Sequence, residues 1–441
     1  MWTLCRVSAI AWAATALTAA VPSSVPQPAG AEAATSPAPL VGRLRIDGVV
    51  FRDDRGPVLP FYAHAGDLFS LFVRDPARAL AELDAVARAG YHGVRTWSAL
   101  GCSATAPCPA RAGGPQAFWR GREVGPGLTA DYYTHVERFF GALAARRLRV
   151  VWSQGDVQVI ADRRDFMMRM ARLDNAAQVI DWIDCGNEAW QTGEPDPAKL
   201  AECVGHYAAA GGRALKTLTA APSEEVHDID RYSIDPADAF NTHSYRGGHA
   251  WDKRRHISSL TRSDRANPRR RLGINSEPPG GGALVSATDN KHELDDEAVA
   301  LLAVASLIAR QAFVWFSGEG VQIDQGLATA PGFHSVPKAV ALIPSDVMSY
   351  ETRHHSGDRW QEIRVLEAKG AVRIDGAQAD DGRFAYTIDG PPGSYTLKVA
   401  RAFEATLCHP ATAACEPVSR KAGETLAVSF TRGRILVGRT R

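Results

Sequence analysis

Short apolar runs recur along the chain from residue 59 to residue 320. They read "LPFYAHAG", "GYHGVRTWSAL", "LRVVWSQGD", "VIDWIDCGNE", "LKTLTAAPS", "AFNTHSY", "RLGINSEPP" and "AFVWFSGEG". Each is short, rich in branched and aromatic residues, and closed by polar residues or glycine, which is how a buried strand reads. Between them lie stretches with helical spacing. "DPARALAELDAVARAG" sets Leu80, Leu83 and Val86 on one face, and Asp75 before Pro76 marks a helix start. "DYYTHVERFFGALAARRL", "DPAKLAECVGHYAAAGGRAL" and "DEAVALLAVASLIARQ" behave alike, whereas the helical signal near "SEEVHDIDRYSI" is weak. Strands alternating with helices imply parallel pairing. Eight such units over ~290 residues predict a (β/α)8 TIM barrel. The rival, an open doubly wound sheet, would carry a glycine-rich phosphate loop early in the chain, and neither GxGxxG nor a Walker motif occurs.

The pattern differs at both ends. "LRIDGVVFRDDRGPVL" predicts two short strands about the turn Asp53-Asp54-Arg55-Gly56. From residue 346 the runs are short and broken by turn signals such as Asp381-Gly382 and Pro391-Pro392-Gly393, which predicts a small all-β sandwich of ~95 residues. At the start, Arg6 precedes the alanine-rich apolar stretch "VSAIAWAATALTAAV". That stretch is too short to span a bilayer and suits a cleaved secretory signal, with Thr18-Ala19-Ala20 or Ala31-Glu32-Ala33 as cleavage motif. The expected organisation is a signal peptide and disordered leader over 1–33, a linker over 34–44, a catalytic barrel over 45–345 and a β-sandwich domain over 346–441.

Composition narrows the function. Apolar content of 45% and charged content of 22% are those of a globular chain. A net charge of +1 without a basic stripe argues against nucleic acid as a partner. Of seven cysteines, Cys5 falls in the signal. Cys102 with Cys108 and Cys408 with Cys415 each flank a short loop, as local disulfides do in an oxidising compartment. Cys185 and Cys203 are either a third pair or two buried thiols. No Cys/His cluster has zinc spacing, Lys291-His292-Glu293 is not HExxH, and His354-His355 reads as an exposed linker. No metal and no cofactor are expected, nor a membrane anchor; the oligomeric state is open.

In a barrel, chemistry collects at the C-terminal ends of the strands. Reading those ends in order gives Asp67, Arg95 and Trp97, Gln154, Asn187-Glu188 followed by Trp190, His243 and Tyr245, Glu277, then Trp315 and Glu319. Asp67, Gln154 and Glu319 enter from strand position alone, and His243 as a substrate-lining residue. Glu188 and Glu277 lie ~90 residues apart, three units of ~30, so in a closed eight-stranded barrel they face each other across the mouth. Two carboxyl groups about a sugar-sized gap, with aromatic platforms, are what glycoside hydrolysis requires. One protonates the leaving oxygen while the other, ionised, attacks the anomeric carbon. Arg95 beside Glu277 would keep that carboxylate charged, and Tyr245 would orient it. Asn187 would bond the sugar 2-hydroxyl, and Trp97, Trp190 and Trp315 would stack on sugar faces.

The ordered set "GVRTW", "GNE", "HSY", "NSEPP" and "VWF" resembles the retaining glycoside hydrolases of clan A, a group that includes the family 5 cellulases and mannanases and the family 39 enzymes. The resemblance spans roughly residues 45–345, and several of those families also pack a small β-sandwich on the barrel. It implies Glu188 as acid/base, Glu277 as nucleophile, and Arg95, Asn187, Tyr245 and Trp315 in support. The expected function is a secreted or periplasmic hydrolase that cleaves a poly- or oligosaccharide with retention, through a covalent glycosyl-enzyme. The alternative is a catalytically inactive carbohydrate-binding protein on the same barrel. Sugar, linkage, individual family and endo or exo action depend on loops such as 98–125 and 279–295, which match no pattern.

Overall fold

The computed structural model describes residues 38–98, 132–154, 163–187, 195–222, 231–243, 272–278, 295–321, 323–356, 359–361, 366–367 and 372–441. An antiparallel sheet opens it, formed by β1 (Arg45–Asp47), β2 (Val50–Asp53) and β3 (Gly56–Val58). Three strands appear where the apolar pattern predicts two. Gly48, at φ 62°, takes a left-handed conformation that ends the first run as β1.

The central sheet is parallel and built from β4 (Phe61–His64), β5 (Gly93–Trp97), β6 (Arg149–Ser153), β7 (Ile180–Asp184), β8 (Leu215–Thr217), β9 (Ala220–Pro222), β10 (Phe240–His243), β11 (Gly273–Glu277) and β12 (Gln311–Trp315). Its order is β8-β7-β6-β5-β4-β12-β11-β10-β9. β8 and β9 are two halves of the fifth apolar run. Among the described residues β8 pairs with β7 and β9 with β10, so this run stands at both ends of the sheet order and brings the eight strand runs round to a nearly closed barrel. The predicted TIM barrel is the observed fold, and all eight strand runs lie where the pattern placed them.

Helices form where sequence starts and stops them. Pro76–Ala89 begins at Asp75, whose carboxylate accepts from the Arg78 amide at 3.1 Å, and ends at Gly90 with φ 92°. Pro197–Ala209 and Asp296–Ile308 are capped in the same way by Asp196 and Asp295. The helix Arg163–Ala177 is not announced by apolar spacing. It buries Asp174 beside Phe166, Met167 and Met170. That carboxylate accepts from Arg43 at 2.8 Å, Tyr207 at 3.0 Å and the Ile180 amide at 2.9 Å, so a charge stands where a hydrophobe would be expected. Among the described residues, no helix is long and apolar enough to cross a membrane.

The C-terminal region is all-β, as the turn-rich pattern predicts. One sheet runs β14 (Arg359–Gln361), β13 (Glu351–Ser356), β16 (Arg373–Gln378), β17 (Arg383–Asp389), β22 (Gly433–Thr440), β19 (Phe403–Cys408) and β20 (Cys415–Arg420). The other holds β15 (Leu366–Glu367), β18 (Gly393–Val399) and β21 (Thr425–Phe430). They enclose a core that includes Ile374, Phe384, Ile388, Leu397, Val428 and Leu436. Cys408 and Cys415 are bonded across the β19–β20 hairpin. The helix Asp296–Ile308 is apolar on every side because it lies between barrel and β-sheet, in contact with β12 on one side and β17 and β22 on the other. At its start Glu297 accepts from the Arg432 and Gly433 amides at 3.0 and 2.9 Å. Arg310, beyond its end, donates to the carbonyls of Met348 at 2.8 Å and Tyr350 at 2.9 Å.

Away from the mouth, Phe51 of β2 meets Trp182 edge-on at 5.4 Å. The Trp182 indole donates to the Tyr62 hydroxyl at 3.2 Å, and that hydroxyl donates to Asp181 at 2.9 Å. Burial pushes the Asp181 carboxyl up to about 7, with Arg149 offsetting part of the effect. An unfolded aspartate ionises near pH ~3.9. The folded chain therefore holds this proton longer, and its contribution to stability is complete below that pH and is lost as pH rises through about 7. The change is on the order of 1.4 kcal/mol per pH unit across the window. Asp181→Asn removes the titration. Thermal unfolding of the two proteins should nearly coincide at pH ~4, and the variant should gain over wild type up to neutrality. A difference independent of pH would contradict this.

Candidate active site

The C-terminal ends of the strands carry a cluster centred on Arg95, a fully buried guanidinium on β5. Every N–H of an arginine is a donor, so a buried one needs acceptors on all sides. Here they come from five directions. Nη1 donates to Glu277 Oε1 at 2.7 Å and lies 3.3 Å from His64 Nδ1. The Ser276 carbonyl lies 3.5 Å from the same nitrogen. Nη2 donates to Asn187 Oδ1, and Nε donates to Ser153 Oγ at 3.2 Å. Arginine cannot accept, so a hydrogen bond between the two requires a bare His64 Nδ1 as acceptor.

Strand register makes this convergence possible. His64 lies beside Arg95, Ser153 beside Asp184, and His243 beside Glu277. The β10–β11 pairing slips between Thr242 and His243, which brings His243 level with Glu277 instead of Ser276. Glu277 is fully buried, and its second oxygen lies 3.5 Å from His243 Nδ1. His243 Nε2 lies 3.0 Å from Ser276 Oγ, and Ser276 donates to Asn241 Oδ1 at 2.6 Å. Below these, Asp184 accepts from Ser153 at 2.9 Å, from Asn241 at 3.4 Å and from the Gly186 amide at 3.0 Å. Burial pushes its carboxyl up to about 6, against the pull of Arg95.

The segment leading to Asn187 is held at each residue. Asp184 grips the Gly186 amide, the Thr219 hydroxyl donates to the Gly186 carbonyl at 2.8 Å, and Cys185 is disulfide-bonded to Cys203 of the helix Pro197–Ala209. The question left open by the sequence, a pair or two thiols, is settled as a pair. Cys102 and Cys108 lie outside the described residues.

The expected site residues divide as follows. Arg95, Asn187, His243 and Glu277 are brought together. Trp97 borders them, edge-on to His64 at 5.4 Å with its ring packed against Gly66. Gln154 is fully buried, with its carbonyl oxygen 3.5 and 3.4 Å from the sulfurs of Cys185 and Cys203. Asp67 stands apart from the cluster. It accepts from the Ile323 amide at 3.2 Å and lies 3.5 Å from Arg74, so it ties the segment after β12 to the helix Leu68–Arg74. Burial raises its carboxyl to about 6. Trp315 is a correction. Its indole is fully buried, donates to the Pro331 carbonyl at 2.9 Å and meets Phe333 edge-on at 5.2 Å. Side chains alternate along a strand, so Trp315 turns into the helical layer and Phe316 stacks on His64 at 4.7 Å. Glu188, Trp190 and Tyr245 lie outside the described residues, as does the side chain of Glu319 in the helix Gly318–Val321.

Ser153, Asp184, Asn241 and Phe316 are not among the residues to which the strand ends point, and His64 and Ser276 stand at those ends with no role assigned. Most are polar residues inside otherwise apolar runs, and that is the signal that could have found them.

No known family profile matches the chain, and no curated protein matches it in sequence. Solved structures do. One described as a glycoside hydrolase superposes with a TM-score of 0.65 at 11% identity, over 91% of this chain and 98% of its own. A glycoside hydrolase family 5 protein from Bacteroides vulgatus superposes at 0.64 and 11% identity, over 90% and 94%. At such identity the likeness is one of fold alone: the chain shares the architecture of these structures over most of its length.

Proposed function

We propose that the protein is a glycoside hydrolase that cleaves a poly- or oligosaccharide with retention, with Glu277 as nucleophile and Glu188 as acid/base. The observation that carries this reading is the single guanidinium of Arg95 holding both Glu277 and Asn187 at the barrel mouth. Glu277 is thereby provided with the counter-charge that a carboxylate out of water needs. Asn187, the residue before Glu188, is brought across from the fourth strand run to the seventh. In the proposed first step Glu277 attacks the anomeric carbon as Glu188 protonates the departing oxygen. In the second, Glu188 deprotonates water, which releases the sugar from Glu277. A retaining pair requires carboxyl groups ~5–5.5 Å apart.

Export belongs to the same proposal. Two disulfides, Cys185–Cys203 and Cys408–Cys415, suit an oxidising compartment, and residues 1–33 have the pattern of a signal and leader. We assign the chemistry to residues 45–345 and place the β-domain at 346–441.

Glu277→Ala should abolish hydrolysis of an activated aryl glycoside chosen from a glycan panel. Azide should restore turnover and give the glycosyl azide of inverted configuration, because it enters the space left by the carboxylate. An inactive, folded variant that azide does not rescue would remove Glu277 from the nucleophile role. Arg95→Lys keeps the charge but cannot reach Glu277, Asn187 and Ser153 together. Its kcat should fall about 100-fold or more with circular dichroism unchanged. Near-normal kcat would show that the fork of Arg95 is not required.

A further inference from the structure

The polar contacts beneath the mouth close into a ring. It runs Arg95, Ser153, Asp184, Asn241, Ser276, His243, Glu277 and back to Arg95. Three of its members have a fixed role whatever the positions of unseen hydrogens: Arg95 only donates, and the carboxylates of Asp184 and Glu277, when ionised, only accept. From Arg95 and the ionised Asp184, the direction of each bond on the path to His243 follows.

Ser153 accepts from Arg95 Nε, so its own hydrogen goes to Asp184 Oδ2. Asn241 faces the same Asp184 oxygen, and only its NH2 can do so without repulsion. The Asn241 carbonyl oxygen is then turned to Ser276, which must spend its one hydrogen on it, at 2.6 Å. Ser276 Oγ is left with lone pairs alone toward His243 Nε2, 3.0 Å away. A bond there requires Nε2–H. With the Asn241 amide reversed, Ser276 would instead be free to donate to a bare Nε2, and the hydrogen of a neutral imidazole would sit on Nδ1.

We propose that Asp184 is a positioning residue that, through Asn241 and Ser276, fixes the tautomer of His243 with hydrogen on Nε2, leaving Nδ1 as the atom that meets Glu277. Protonated at Nδ1, His243 is a second charged donor to that carboxylate beside Arg95. The charged and titratable groups on the described elements about the ring are Arg95 on β5, Asp184 on β7, Glu277 on β11 and His64 on β4. The inference deepens the proposed role of Glu277, but the tautomer is a property of the resting protein and can be read without turnover.

The test is nitrogen NMR of the full chain with 15N-labelled histidine rings, the His243 signals being assigned by their loss in His243→Gln. In wild type at pH ~8, above the range in which Asp184 takes up its proton, the neutral ring should give a protonated-type shift at Nε2 and a bare-nitrogen shift at Nδ1. Ser276→Ala removes the acceptor for Nε2–H with little change of volume, and the neutral tautomer should move to Nδ1–H, toward Glu277. Asp184→Asn should shift it the same way, and if that variant does not fold, Ser276→Ala still tests the relay. A neutral wild-type His243 with hydrogen on Nδ1, or a tautomer unchanged in a folded variant, would overturn the proposal. Loss of hydrolysis in assays, with the NMR result as expected, would count against the enzymatic reading and not against this one.

Discussion

Arg95 is the constraint on which the mouth of the barrel depends. A guanidinium taken out of water costs several kcal/mol unless each donor finds an acceptor, and Arg95 is fully buried. Its acceptors come from β4, β6, the segment after β7, and β11. Four parts of the chain are therefore tied to one side chain, and a shift of any of them by an ångström would leave a buried donor empty. The slip in the β10–β11 register fits the same demand, since it sets His243 beside the carboxylate that Arg95 also holds.

The segment after β7 shows how such a site is kept in place. A loop that carries chemistry is ordinarily the mobile part of a barrel. Here residues 184–187 are fixed by a disulfide, a side-chain grip on the Gly186 amide, a hydroxyl bond to its carbonyl, and the bond from Arg95 to Asn187. The C-terminal sheets lie elsewhere. They cover the buried run Ala298–Ile308, and at its start Glu297 accepts from the Arg432 and Gly433 amides, beside an ion pair between Arg432 and Asp295, which reads as packing and not as chemistry.

Much of this was legible in the sequence because burial writes itself as periodicity. The eight apolar runs, the capped helices at Asp75 and Asp196, and the turn-rich C-terminal strands follow from local rules, and so does the convergence of Arg95, Asn187, His243 and Glu277. What escaped has specific causes. Trp315 reads as a platform because position at a strand end does not give parity, and parity turns it into the helical layer and sets Phe316 against His64. Asp67 lies at the right height but serves the Ile323 amide. Ser153, Asp184, Asn241 and Ser276 matter only through partners on other strands, and no local pattern states who those partners are.

The central claim is that Glu277 forms a covalent bond to a sugar. It is tested most directly by incubating the protein with a panel of activated 2-deoxy-2-fluoro glycosides and mapping any adduct by mass spectrometry. The account predicts one added sugar per chain, on the peptide containing Glu277, with loss of activity in step with labelling. A label on another residue, or turnover that releases sugar of inverted configuration with no adduct, would contradict it.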